Sequence, residues 1–391
     1  MKTKHILISG ASIAGPALAY WLHRYGFQVT IVERAPHIRP GGYAIDFRGA
    51  AMQVLDQMDL LSNIRQFETR SGKISLVNKH HKEVARMPDG FTSGELEILR
   101  GDLANVFYEA TRHQVEYIFD DSITAIAEDA TGTTVTFLSG HTRRFDIVVG
   151  ADGLHSKVRS ITFGDESRYL HHLGIYLAVF TIPNFLPLKN MAGVLYGSLG
   201  KRVGIFSARE DQEARASFYF TAPPLQYDYR DTKAQQQIVR DRFANDEWMV
   251  PQLLEYMDQA TDFYFDAASQ IKMDRWSSGR VTLLGDAAGC ASPMSGMGTS
   301  MAVVGAYILA GELKAASGEH TIAFARYEAQ MRDFVAACQK LAEGVEWFVP
   351  ATPFKLWMSE KIWKILPYTP WKNMMIEMPK KVANSITLKR Y

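Results

Sequence analysis

The sequence predicts an α/β protein with an α+β insert: a parallel nucleotide-type sheet, an antiparallel sheet set into it, and helices at the C-terminal end. Three observations predict this. A short apolar run, Ile6-Leu7-Ile8, stops at a glycine-rich turn, Gly10-Ala11-Ser12-Ile13-Ala14-Gly15. The same buried-strand pattern returns from Phe145 to Val149 and from Val281 to Leu284. Between those two returns, the stretch from Leu170 to Trp276 is rich in aromatic, strand-like runs.

The elements follow in order. After the opening turn, Ala14 to Tyr25 holds good helix formers and ends at Gly26, a helix stop. Gln28 to Val32 is a second strand that closes on Glu33. Together they make one βαβ unit with a crossover helix of suitable length. Helices are expected from Gly49 to Met58 and from Gly101 to about Arg112. Ser122 to Ala127 and Thr133 to Leu138 alternate, and Ala130-Thr131-Gly132 between them predicts a hairpin. Phe145 to Val149 then runs into Gly150-Ala151-Asp152-Gly153. In the aromatic stretch, strands are expected at Gly174 to Ile182, Val203 to Ser207, Ala216 to Thr221 and Phe263 to Met273. Lys73 to Leu99 reads as strands that join them. Long helices follow from about Thr299, and two more are expected at Pro353 to Ile365 and Trp371 to Val382.

Bulk properties narrow the function. At 391 residues the chain exceeds what one core usually serves. The division expected is 1–72, 100–169 and 277–346 for the nucleotide-binding part, 73–99 and 170–276 for the substrate part, and 347–391 for a helical cap. Forty-three basic residues stand against 42 acidic ones, which argues against nucleic acid as a partner. Two cysteines, far apart in sequence, exclude a thiolate zinc site and argue against a disulfide framework. With no signal-like N-terminus and no apolar run of ~18 residues, the expected location is the cytoplasm.

The turn predicts a pyrophosphate site. Glycine permits the tight turn and the close backbone approach, and the helix N-terminus presents free N–H groups and positive potential. Gly10 and Gly15 take the outer positions, while Ser12 stands where a third glycine is usual. Glu33 lies 18 residues beyond Gly15, suitably placed for a ribose, with Arg34 next to it.

Three further segments add weight: Leu99-Arg100-Gly101-Asp102-Leu103, Gly150-Ala151-Asp152-Gly153-Leu154-His155-Ser156-Lys157-Val158-Arg159, and Gly285-Asp286-Ala287-Ala288. With the opening turn, and in this order, they resemble the single-component FAD-dependent aromatic hydroxylases. Glu97 to Leu103, Phe180 to Asn184, Asp262 to Ala267 and Gly305 to Leu313 further resemble the tetracycline-inactivating flavin monooxygenases. The resemblance implies a Rossmann-like FAD-binding domain, FAD as cofactor, NADPH or NADH as co-substrate and O2 as oxidant. It implies FAD contacts from Gly10, Ala11, Ser12, Ala14, Gly15, Glu33 and Arg34. It also implies roles for Arg100 near the pyrophosphate, Asp152 in the turn and Asp286 at the ribityl chain. Pro293, Gly296, Met297 and Gly298 would run beside the flavin ring, and Asp46 and Arg48 would approach it. Relatives often carry histidine, glutamine and asparagine where this chain has Gly289, Met297 and Ser300. No catalytic side chain is assigned, because the flavin carries the chemistry.

Tyr196, Phe206, Phe218, Phe220 and Met297 are the candidate substrate walls. The expected substrate is a small aromatic or polycyclic molecule, with tetracycline-type antibiotics and smaller phenols as the alternatives. A flavoprotein that binds an aromatic ligand without turnover is a further alternative. No Trp-x-Trp-x-Ile-Pro segment supports a halogenase. The tail, with Trp347, Trp357, Trp363 and Trp371, is read as a cavity cover in preference to a membrane-surface contact. Monomer and homodimer stay open. His171-His172 is read as a surface pair, and Cys290 as a small buried thiol.

Overall fold

The computed structural model describes residues 4–39, 41–69, 72–88, 94–189 and 191–391. Residues 1–3 of the N-terminal run and 89–93 of the expected strand region lie outside these. A six-stranded sheet runs in the order Ser277–Ser278, Val281–Leu283, Ile147–Gly150, His5–Ser9, Gln28–Glu33, Glu116–Phe119. Its pairs are parallel, apart from the edge pair Ser277–Ser278 with Val281–Leu283. The β-branched and leucine runs are buried on both faces, as parallel strands between helices require. Helix Ala14–Arg24 covers one face and packs on helix Gly298–Ala315. That second helix is buried continuously from Ser300 to Leu313 and forms the middle of the largest core.

A seven-stranded sheet runs in the order Tyr264–Ile271, Leu170–Pro183, Glu213–Thr221, Lys201–Ala208, Gly193–Ser198, Ile74–Val77, Glu83–Arg86. One of its pairs, Gly193–Ser198 with Ile74–Val77, is parallel, so the sheet expected to be antiparallel is mixed. The segment read as one strand from Phe145 to Val149 is two. Phe145 ends Thr142–Phe145 in a three-stranded sheet with the hairpin strands, and Ile147 opens the central strand. Leu96–Leu99 does not join the large sheet; it pairs with Ala44–Phe47.

Two helices in the substrate stretch were not anticipated. Thr232–Phe243 buries only Gln235, Val239 and Phe243, a stripe too narrow to stand out among polar neighbours. Val250–Gln259 buries Val250, Leu253, Leu254 and Met257, a spacing of i, i+3, i+4, i+7 that was legible. Both helices pack on one face of the seven-stranded sheet, around Phe180, Phe218 and Phe220. The other face of the sheet is left for the site.

The chain end is tied to the central helix. Glu312 is buried and accepts hydrogen bonds from Lys389 Nζ (2.8 Å) and Tyr391 Oη (2.9 Å). Gly311 makes room for the tyrosine, since a Cβ there would lie 2.1 Å from the Tyr391 ring. Gly311→Ala is expected to displace Tyr391 and to lower stability by about 1–3 kcal/mol, despite the gain in helix propensity. Urea unfolding checks this, and combining it with Tyr391→Ala should give much less than the sum of the two losses.

Candidate active site

The site starts where three backbone segments touch. Gly10 has φ +107°, and a Cβ on it would stand 2.5 Å from the Ala151 carbonyl oxygen. A Cβ on Gly15 would stand 1.9 Å from the Gly10 carbonyl oxygen. Neither position has room for a side chain. The strand end, the helix start and the turn after Ile147–Gly150 therefore close on one another, and the N-terminus of helix Ala14–Arg24 meets a cavity. Ser9, Gly10, Ser12, Ile13 and Ala14 line it. Ala11 and Gly15 do not. The Ala11 N–H instead donates to Glu33 Oε2 (2.8 Å), and Ala35 N–H donates to Oε1 (2.9 Å), which orients the carboxylate at the cavity edge.

Ser12, the departure from glycine, has a partner: Arg100 Nη2 donates to its hydroxyl (2.8 Å). Arg100, Arg34 and Arg39 all line the cavity. Arg34 and Arg39 stand at its exposed rim. Partial desolvation lowers the Arg39 guanidinium from its ordinary range, and the neighbouring Arg100 adds to that, as does Arg34. Arg34 and Arg100 both repel Arg39, and this cationic group beside a helix N-terminus offers the potential that an anion such as a pyrophosphate would meet.

The remaining motifs interlock. Asp152 is half-buried; its oxygens accept from Ser156 Oγ (2.5 Å) and Val158 N–H (3.0 Å), and desolvation pushes its carboxyl up. Ser156 caps helix Lys157–Phe163. Arg159, fully buried, donates to the Ala287 carbonyl (3.1 Å), which joins this motif to Gly285-Asp286-Ala287-Ala288. Asp286 faces the cavity, and burial pushes its carboxyl up as well. Pro293, Gly296 and Gly298 line the cavity too. Asp46 and Arg48 pair with each other at 2.9 Å in the cavity wall, and Arg48 lies beside Gly296.

The cavity measures about 1270 Å³ and continues from the glycine turn to the seven-stranded sheet. Alternation along the strands decides which side chains reach it. Leu177 and Val179, Arg215, Ser217 and Tyr219, and Leu195 and Phe206 face the cavity. Phe218 and Phe220 point the opposite way, into the core under the two helices. Tyr196 is on that side as well, stacked on Trp248. Of the four aromatic wall candidates on the sheet, only Phe206 lines the cavity. Met297 is also corrected: it is fully buried in the main core, while Met294 lines the cavity. Gly289 is needed for packing, because a Cβ there would meet Val335 Cγ1 at 2.7 Å. Cys290 is buried as expected, and burial raises its thiol well above the ordinary range. His171 is exposed, whereas His172 packs half-buried against Tyr176. No metal-ligating cluster occurs among the described residues.

Sequence reasoning passed over His155 and Arg215. His155 lines the cavity, with Nδ1 2.7 Å from Glu166 Oε1 and Nε2 3.2 Å from Asp266 Oδ1. Burial opposes its charge, but hydrogen bonds donated to Asp266 and Glu166 prevail and push the imidazole up to about 10. It is a fixed cation at neutral pH. Arg215 was legible as a charge at an inward position of the alternation Ala214-Arg215-Ala216-Ser217-Phe218.

A glycine cradle, an anion site and an adjoining apolar chamber define a dinucleotide-dependent oxidoreductase. Residues 3–341 match the FAD binding domain family, and the chain belongs to it. Within it, the chain is a member of the flavin-dependent monooxygenases. It is 40% identical to the flavin-dependent monooxygenase of Legionella longbeachae, with 100% of this chain and 99% of that one covered. It is 48% identical to an uncharacterized protein of Mycobacterium tuberculosis, over 86% of this chain and 92% of the other. The crystal structure of tetracycline destructase Tet(51) superposes with a TM-score of 0.88 at 36% identity, over 100% of both chains. FAD fits what the site offers: a backbone crossing with no room for a Cβ, three guanidiniums at the helix N-terminus, and a carboxylate held at the second strand.

Gly15→Ala is expected to leave the protein without flavin, read as the ratio of 450 nm to 280 nm absorbance. His155→Gln tests the fixed cation through stability. The folded-state value of about 10 lies above the ordinary 6.5, so the stabilisation is full below about pH 6.5 and is lost as pH rises through about 10. The gap between wild type and variant in thermal unfolding should be widest at pH 6 and close above pH 10.

Proposed function

We propose that this enzyme uses NADPH or NADH and O2 to oxygenate an aromatic or polycyclic small molecule, and that tetracycline-type polyketides are the class to test first. The observation that carries this reading is one continuous cavity. At about 1270 Å³ it exceeds the ~300–1,000 Å³ of an ordinary small-molecule pocket, and it joins the glycine cradle to an apolar sheet face. A cofactor at the cradle and a second molecule against the sheet would share it. The likeness to the tetracycline destructase across the whole chain supports the substrate class.

FAD, when bound, supplies the two-electron redox chemistry and the activation of oxygen. The chain's residues do the rest. Ser12, Arg34, Arg39 and Arg100 would hold the pyrophosphate, Glu33 the ribose and Asp286 the ribityl chain. Pro293, Gly296 and Gly298 would run along the ring. Leu177, Val179, Leu195, Phe206 and Phe348 exclude water from the chamber. Arg215 keeps one buried nitrogen, Nη1, without a hydrogen-bond partner, while Nε donates to the Gly42 carbonyl (3.3 Å). That nitrogen would orient an enol or phenol oxygen of the substrate.

Purified protein should be yellow and should oxidise NADPH faster when substrate is present, with a product one oxygen atom heavier by mass spectrometry. No acceleration by any tetracycline would remove that substrate class, and no flavin after reconstitution would remove the whole reading. Alternation on the sheet gives a sharper test. Phe206→Ala should raise KM severalfold with little change in stability, because it lines the chamber. Phe218→Ala should cost about 3–5 kcal/mol in urea unfolding and leave KM unchanged, because it fills the core.

A further inference from the structure

Ten of the sixteen exposed large hydrophobic side chains among the described residues lie between 347 and 378. The cavity accounts for some of them. Met375 and Met378, on helix Trp371–Ala383, line its rim together with Pro379. It does not account for helix Pro353–Ile365, no residue of which lines the cavity. Reading the whole tail as a cover therefore fails for this helix.

The helix has two faces. Ser359 and Trp363 are buried, and Trp363 packs with Leu366 against the small core of strands Ile74–Val77 and Glu83–Arg86. The opposite face shows solvent Phe354 (64% exposed), Trp357 (57%) and Ile365 (57%), with Ile362 at its margin. Positions 354, 357, 361 and 365 follow one side of a helix. The surface continues into Tyr368 (88%) and Trp371 (68%). Lysines frame it. Lys361 Nζ lies 5.8 Å from the Trp357 ring centroid, and Lys355 Nζ lies 5.3 Å from that of Trp347. Between 353 and 383, six lysines stand against two glutamates, a net +4 on a chain whose total is +1.

We infer that this face docks the enzyme on an anionic lipid surface. The combination of an outward apolar face, tryptophan and tyrosine at its edge and lysines beside them suits the boundary between headgroups and acyl chains. No helix among the described residues is long and apolar enough to cross a membrane, so the contact is peripheral. Charge favours lipid over a second copy of the chain. A two-fold interface would press this surface against itself and set lysines against lysines, whereas acidic headgroups neutralise them.

The test uses the full-length, FAD-loaded protein. It is mixed with vesicles of phosphatidylcholine alone, or of phosphatidylcholine with phosphatidylglycerol, and sedimented. Binding is expected to the mixed vesicles, and it should weaken as salt rises. Lys361→Gln with Lys364→Gln should reduce partition by roughly fivefold per lysine. Phe354→Ser with Trp357→Ser should abolish binding. All these variants should keep flavin content and NADPH oxidation, because the positions lie outside the cavity. Absence of binding to the mixed vesicles would overturn the inference, as would undiminished binding of the Phe354/Trp357 variant. A dimer in light scattering that dissociates on Trp357→Ser would overturn it in favour of a second copy. Any of these failures leaves the oxygenase reading untouched.

Discussion

Everything in the site hangs on a backbone crossing with no room for a side chain. The Gly10 carbonyl lies where a Cβ of Gly15 would be, and the Ala151 carbonyl lies where a Cβ of Gly10 would be. Such contact is possible only between glycines and bare backbone, so it sets how closely the first helix approaches the sheet. From that distance follow the orientation of the helix N-terminus, the reach of Arg100 to Ser12 and the position of Glu33 against the Ala11 N–H. Arg159 extends the same rigid frame to the Asp286 turn through the Ala287 carbonyl. Buried and fully enclosed, Arg159 is a tie between segments rather than a group that meets solvent.

The second governing constraint is the two-residue repeat of the large sheet. One face must be covered by helices Thr232–Phe243 and Val250–Gln259, or its phenylalanines would stand in water. The other face is then free to wall a chamber. Neighbouring residues of Glu213–Thr221 thus have opposite fates: Tyr219 meets the cavity, while Phe218 and Phe220 build core. Charged groups on the cavity face, such as Arg215, are tolerated because part of each is hydrogen-bonded to backbone or carboxylate.

Much of the fold was legible in the sequence. The opening βαβ unit, the hairpin around Thr131 and the C-terminal helices come close to their expected bounds, because local periodicity and glycine placement carry them. The misreadings share one cause. Phe145 and Ile147 are near neighbours in the chain with similar apolar character, yet they belong to different sheets. Leu96–Leu99 has the pattern of a strand but not the address of its partner. Strand identity is local, while strand pairing is a long-range choice made by packing.

The sequence by itself determined the close crossing at the first helix, since only glycines at those positions permit the approach. It also pointed to Glu33, Arg34 and Arg100 beside the turn, whereas Arg39 was found only in the folded chain. The tertiary structure decided what no local pattern encodes: that Phe206 rather than Phe218 faces the chamber, that Met297 sinks into core, and that His155 gains the distant Asp266 carboxylate beside that of Glu166. The physical reason is the same in each case. A side chain's facing depends on the register and crossing of segments far apart in sequence, and those are set when the whole core closes.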